Sequence, residues 1–344
     1  MSIAGNNQKF IIIVLQTITS KPNLFLKKII RSNFGSGICI LFLITVLVMS
    51  SCYNSAKRTV IETPTSGNIK IIVDESFQPL LDTEISTFMA LYHNAKIKPV
   101  YKPEVDVVND FMNDSVNVIV TSRKLTDNQI QFLRDSLIVA RTIPFAYDAL
   151  ALITNKENKD SLLKYETVKD IFTGKIKNWK EIDPKSDLGQ IRVIFDNTKS
   201  GSIRYFKELY SIDSLSKNFF AVNTNADVIN FVSRNQDALG IISVNWISDK
   251  DDSLSMSFEK KINVEAVSQQ FFNDGYYYRP LQGSIYEKSY PFVREVYLIT
   301  RETFKGLGSG FIQWATAEQG QRIVLKSGLV PATMPIRLVQ IKHE

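Results

Sequence analysis

Two cysteines and two histidines are all that 344 residues contain. Neither cysteine lies beyond residue 52, so residues 53–344 can form no internal disulfide. His93 falls in a helix-like stretch and His343 next to the C-terminus. With no other histidine, neither a histidine metal cluster nor a histidine-based catalytic triad can be assembled. Acid is missing from one place in particular. Residues 1–51 carry Lys9, Lys21, Lys27, Lys28 and Arg31 and no Asp or Glu, so five of the six units of net charge sit there. Residues 52–344 are left at +1, which gives no electrostatic footprint for nucleic acid. Internal repeats and low-complexity tracts are also missing, which excludes solenoids and extended disorder.

What the chain does have begins at its N-terminus. Lys27, Lys28 and Arg31 precede a 12-residue apolar stretch, Ile38 to Met49, followed by Ser50-Ser51-Cys52. That order is the order of a secretory signal. The segment resembles a bacterial lipoprotein signal, which implies lipidation of Cys52 and attachment to a membrane of the cell envelope, facing the periplasm or exterior. Met49 stands where leucine is usual. The rival reading is an uncleaved anchor, because residues 32–51 are uncharged over ~20 residues; Gly35, Gly37 and several serines dilute it. Residues 1–51 are therefore expected as leader and residues 52–67, polar with Pro64 and Gly67, as a tether.

Composition is that of an ordinary globular protein: 44% of the whole chain is hydrophobic and 22% charged, and its length is enough for two packed lobes. Ile69–Val73 reads as a strand, and Asp74-Glu75-Ser76-Phe77-Gln78-Pro79 leads into a helix with Leu80, Ile85, Phe88 and Met89 at helical spacing. Lys96–Tyr101 and Val105–Met112 repeat strand then helix. Val116–Val120 is the continuous apolar run of a strand buried on both faces. It ends in Thr121-Ser122-Arg123, and Thr126 then caps a further helix. Arg141–Thr154 is a long extended stretch, expected to cross between lobes. Further on come a helix ended by Gly174, a polar segment at 211–225, a helix over 226–235, and strands at 238–243 and 264–268. The stretch 249–257 reads as an acidic surface loop, and 290–299 as a returning strand that makes the second crossing. One helix is expected over 308–327. Trp179 and Trp314 are assigned to the core, and Tyr276–Tyr278 to hinge packing.

The most informative stretch is residues 191–210. A β-branched run, Ile191 to Phe195, gives way to Lys199-Ser200-Gly201-Ser202 and then to a helix. Ser202 is expected to cap that helix, with Gly201 allowing close approach. Strand–serine–helix turns of this kind are anion sites, because free amides and the positive end of the helix dipole coincide. Three of them, at Ser76, Ser122 and Ser202, follow three strands. That is the doubly wound α/β plan, in which ligands lie at the carboxyl ends of strands.

Five blocks then carry a resemblance: I-F-T-G-K-I-K-N-W at 171–179, S-G-S-I-R-Y-F at 200–206, A-L-G-I-I-S at 238–243, Y-P-F-V-R-E-V-Y-L at 290–298, and W-A-T-A-E-Q-G-Q-R-I-V-L-K-S-G-L-V-P at 314–331. In this order they resemble the phosphate-binding receptors of ABC importers, the type 2 periplasmic binding proteins. The resemblance implies two α/β lobes with two crossings, residues 68–145 plus 276–344 against 146–275, closing on a small oxyanion. It also implies an ABC permease as partner, a monomer, no cofactor and no enzymatic activity. The family's contacts map onto Ser76, Phe77, Ser122, Ser200, Gly201 and Ser202. Two positions depart from it. Ser122 stands where an aspartate commonly reads the ligand's proton, and Asp196 where an arginine commonly pairs with it. Reversing one charge ~4 Å from an anion shifts the interaction by several kcal/mol at an effective dielectric of ~20. Arg123, Arg204 and Lys199 are the nearest compensating cations in sequence, and Arg204 has Asp196 as an alternative partner. A sensor or scaffold domain with a degenerate cleft is the alternative reading. A serine hydrolase is disfavoured for want of a histidine base.

Overall fold

The computed structural model describes residues 62–159, 162–270 and 275–335; the leader and Cys52 lie outside them. Three successive strands, β1 (Gly67–Asp74), β2 (Ala95–Lys102) and β3 (Val118–Thr121), alternate with helices α1 (Gln78–Leu91), α2 (Glu104–Met112) and α3 (Asp127–Asp135). β1 pairs in parallel with β2 and β3. Alternate residues of these strands point to opposite faces. Ile71, Val73, Val118 and Val120 pack with α1, while Ile72 and Ile119 pack with Val107, Phe111 and Leu133 of α2 and α3. Helices on both faces explain why β3 and Ile71–Val73 of β1 are apolar without alternation, whereas the edge strand β2 alternates with exposed Lys96 and Lys98.

β4 (Arg141–Asn155) is the strand on which the rest is hung. Its first part, Arg141–Ala149, runs antiparallel to β12 (Val293–Thr300), which also pairs with β3. Its second part, Leu150–Thr154, pairs with β8 (Ala238–Ser243). Between them in sequence come β5 (Leu162–Leu163), α4 (Tyr165–Phe172), β6 (Arg192–Phe195), α5 (Gly201–Tyr210), β7 (Phe219–Ala221) and α6 (Asn225–Val232). β6 runs parallel to both β7 and β8, so a second parallel unit is built on the far part of β4. Eight of the described strands form one path, β2-β1-β3-β12-β4-β8-β6-β7, while others branch from β4 or make a small separate sheet. The fold is two doubly wound α/β lobes with β4 and the returning strand β12 as crossings.

Later elements correct several expectations. The acidic stretch at 249–257 is largely helix, α7 (Ser253–Glu259), because the Asp252 carboxylate accepts from the Ser255 amide at 2.7 Å and caps it. The strand expected at 264–268 is two, β9 (Ile262–Val264) on β4 and β10 (Ala266–Ser268) on β5, divided at buried Glu265. β11 (Tyr277–Tyr278) pairs with β10, and α8 (Gln282–Tyr286) follows. Tyr276 is exposed, and Tyr278 packs on the core. The single helix expected over 308–327 is α9 (Leu307–Ala315) and α10 (Glu318–Lys326), followed by β13 (Val330–Pro331). Gly320 lies directly on the Ala315 backbone, and Gln321 Nε2 donates to the Ala315 carbonyl at 3.0 Å. These contacts hold the chain in a sharp turn between the two. The end of the expected tether is docked rather than free: Glu62 Oε1 accepts from the Leu307 amide, and Pro64 lies against Gly310. Trp179 and Trp314 are buried as expected.

Gly240 on β8 shows how tightly the second unit is packed. A side chain there would begin 2.7 Å from both Ile153 Cγ1 and Val232 Cγ2. Gly240→Ala is expected to cost about 1–3 kcal/mol by overpacking. Chemical denaturation checks it, read as a lower midpoint at unchanged slope.

Candidate functional site

The carboxyl ends of β1, β3, β6 and β8 meet around β12. After β1, Asp74 Oδ1 accepts from the Ser76 amide at 3.1 Å and starts a 3-10 turn, Glu75–Phe77, so Ser76 is not the helix cap. The Ser76 hydroxyl is buried without a hydrogen-bond partner, and the buried Phe77 ring lies 4.9 Å from the Arg294 guanidinium. After β6, the cap of α5 is Ser200, whose hydroxyl accepts from the Ile203 amide at 3.4 Å. Ser202, expected as the cap, is instead the second residue of the helix, fully buried, with its hydroxyl unpartnered. The Ser200 side chain also favours the ionised form of the buried Asp196.

Ser122, Arg123 and Arg204 converge on a residue that the sequence reading passed over, Glu104. Its carboxylate accepts from Ser122 Oγ at 2.5 Å, from Arg204 Nε at 2.5 Å and from Arg204 Nη2 at 3.1 Å. Arg123 Nε lies 3.9 Å away. Arg204 does not pair with Asp196: its partners are Glu104 and, at 2.7 Å, Glu208. Lys199 is drawn to the rim, where it pairs with Asp106 at 2.9 Å. Gly201 sits in the middle. A side chain there would begin 2.6 Å from Ser122 Oγ, 2.8 Å from Glu104 Oε2 and 3.1 Å from Asp74 Oδ2. Every serine turn picked out from the sequence therefore opens on one place, although Ser122 lies four residues before the cap of its helix.

The compensating cation is Arg294, on β12. It is 4% exposed, and its Nε donates to Asp148 Oδ2 at 2.8 Å. Asp148 is fixed from its other side by the Ser243 hydroxyl at 2.9 Å. Arg294 Nη1 and Nη2 have no hydrogen-bond partner among the described residues. The same is true of four buried oxygens in this region, Ser76 Oγ, Ser202 Oγ, Asp74 Oδ2 and Asp196 Oδ1. Buried polar atoms are rarely left so, and a cluster of donors and acceptors of this kind is what a small polar ligand satisfies. A signal for Arg294 was present in the sequence: it lies in phase with the inward-facing Val296 and Leu298. Among the described residues, no group of three or more His, Cys, Asp or Glu side chains is placed to hold a metal ion.

Burial dominates the protonation of this region. It pushes Asp74 up to about 7, aided by the negative charge of Glu104 and opposed by Arg294. It lifts Asp196 to about 6, against the Ser200 side chain and Arg294. Glu75 rises to about 8 although Asn225, at the start of α6, donates both its amide and its side chain to it. Asp148 is raised as well, because burial outweighs its bond to Arg294. Glu104 goes the other way: burial opposes its ionisation, but Arg204 and Ser122 hold it below the ordinary value. An acid with a raised folded pKa stabilises the fold fully below its unfolded value, near 4, and loses that contribution as pH rises through the folded value. The protein is therefore expected to melt several degrees lower at pH 8 than at pH 5.5 in anion-free buffer. Asp74→Asn, which keeps the acceptor for the Ser76 amide, is expected to flatten that slope in scanning calorimetry.

The fold and this cleft define a two-lobed α/β binding protein with a charged crevice at the ends of its parallel strands. Residues 59–319 match the PBP superfamily domain, and the chain belongs to that superfamily. It is 22% identical to the phosphate-binding protein PstS of Borreliella burgdorferi over 302 residues, 85% of this chain and 97% of that protein. It is 26% identical to PstS of Staphylococcus saprophyticus, there over 56% of this chain and only 57% of the relative. Among solved structures, a putative phosphate ABC transporter substrate-binding protein with bound phosphate from Clostridium perfringens superposes with a TM-score of 0.66 at 24% identity, covering 77% of this chain and all of that one. These are type 2 periplasmic binding proteins, and this chain has their fold.

Proposed function

We propose that the chain captures a single tetrahedral oxyanion, phosphate, between its lobes and delivers it to an ABC permease. The observation that carries this is Arg294: two guanidinium nitrogens, buried and unpartnered, its guanidinium 4.9 Å from the ring of Phe77, which follows Ser76, with the hydroxyls of Ser76 and Ser202 also buried and unpartnered. Charge-assisted donors of this kind suit an anion, and the fork of a guanidinium suits a tetrahedral oxyanion. The printed names of the relatives, phosphate-binding proteins, point the same way.

In this reading Ser76, Ser202 and Arg294 donate, and Phe77 and Gly201 line the pocket. Asp74 and Asp196 take over the acceptor role that Ser122 cannot fill, receiving the protons of a hydrogen phosphate. Ser200 holds Asp196 in place, and Ser122, Arg123 and Arg204 act one step back, through Glu104. We divide the lobes at 145/146 and 275/276, where the chain passes along β4 and returns toward β12. No helix among the described residues is long and apolar enough to cross a membrane. Attachment to the envelope through a lipid on Cys52, with the binding lobes outside the cytoplasm, completes the reading of a receptor rather than an enzyme.

Isothermal titration of the full-length chain in detergent tests it. Phosphate and arsenate are expected to bind. Arg294→Ala is expected to weaken phosphate on the order of 100-fold, since removing one partner of a buried charge pair costs about 2–5 kcal/mol. Absence of heat with every oxyanion, or an Arg294→Ala chain that binds like the wild type, would sink the reading. Sulfate carries no proton at these pH values and so cannot donate to Asp74 or Asp196. It is expected to bind only at low pH, where those two acids are protonated, and to be lost by pH 8.

A further inference from the structure

Glu104 opens α2, so its carboxylate already enjoys the positive end of that helix. The groups around it make a complete anion cradle: a hydroxyl from Ser122 at 2.5 Å, a second from Thr121 at 3.3 Å, a two-point contact from Arg204, and Arg123 at 3.9 Å. Gly201, which has no side chain, lets the carboxylate reach the start of α5. The carboxylate is fully buried. Four of the residues that surround it, Ser122, Arg123, Gly201 and Arg204, are those the sequence offers to an external anion. Asp74 Oδ2, part of the other half of the crevice, is 3.1 Å from the same Gly201 position that lies 2.8 Å from Glu104 Oε2. The two halves are therefore adjoining, one filled by a side chain and one left with unpartnered polar atoms.

We infer that Glu104 is a built-in anion that permanently occupies one half of the cleft's oxyanion cradle, confining the ligand to a single small anion in the Arg294 half and setting how much negative charge that ligand can carry. This rests on the oxyanion-receptor reading and adds a specificity determinant to it. A fixed charge beside the ligand repels it and weakens binding. It also occupies the donors that a second phosphoryl group would need, so the site selects inorganic phosphate against diphosphate. A structural brace would behave in the opposite way, because its removal would loosen the cleft and weaken every ligand.

Titration calorimetry on the full-length chain in detergent separates these. Inorganic phosphate is expected to bind Glu104→Gln and Glu104→Ala at least tenfold more tightly than wild type, with a gain that shrinks as sodium chloride is raised. Glu208→Gln removes the exposed partner of the same arginine and is expected to change phosphate affinity less than twofold. Inorganic diphosphate is expected to bind Glu104→Ala and not the wild type. Equal or weaker phosphate binding by both folded Glu104 variants, or diphosphate binding unaffected by Glu104→Ala, overturns the inference while leaving the receptor reading intact. Failure of both variants to fold, read by circular dichroism, assigns Glu104 to bracing and also overturns it. No phosphate binding by any of the four chains overturns both.

Discussion

A single buried cross-strand ion pair organises this protein. Arg294 and Asp148 are direct partners in the ladder between β12 and β4, and both side chains are almost completely buried. Placing a guanidinium inside a protein is tolerable only if its charge is matched and its donors are used. Asp148 matches it with one bond and is itself tethered by Ser243, which comes from β8. The pair therefore sits where β4 leaves β12 and takes up β8, two residues before the first β4–β8 partners, Leu150 and Ser243. A cation fixed at that junction is tied through Asp148 to β4 and through Ser243 to β8, and its Nη1 and Nη2 are left unpartnered.

The surrounding charges follow from that placement. Asp74, Asp148, Asp196 and Glu104 all act electrostatically on or with Arg294. One guanidinium cannot neutralise four carboxylates, and burial makes any surplus charge costly. The molecule resolves this in two ways. Glu104 acquires its own cation, Arg204, and stays ionised. Burial pushes Asp74 and Asp196 upward toward neutral pH, against the pull of Arg294. The result is a crevice that offers donors and acceptors together.

Much of the fold was legible because its signals are local. The apolar runs at 71–73, 118–120 and 193–195 are strands, since a sheet covered by helices on both faces leaves no polar side to alternate with. The cap at Thr126 and the stop at Gly328, with φ of +82°, are also written in a few neighbouring residues. The misreadings arose where distant packing decides. Thr316-Ala317 interrupts a good helical pattern only because Gly320 folds back against Ala315. The choice of Ser202 over Ser200 as cap was a two-residue slip between neighbouring serines. It matters, because it releases the Ser202 hydroxyl for the crevice.

The chain's order of residues was sufficient for an α/β plan with serine turns at strand ends, for the lack of disulfides in residues 53–344, and for a basic N-terminal stretch set apart from a nearly neutral remainder. Hydrophobic period, turn chemistry and charge count all act within a few residues. Tertiary structure alone decided which cation faces which carboxylate. Arg204 is 100 residues from Glu104, and Arg294 is 146 from Asp148. Pairings at that separation depend on strand register and on how two sheets meet. Those are settled by the packing of the whole apolar core, and no local pattern encodes them.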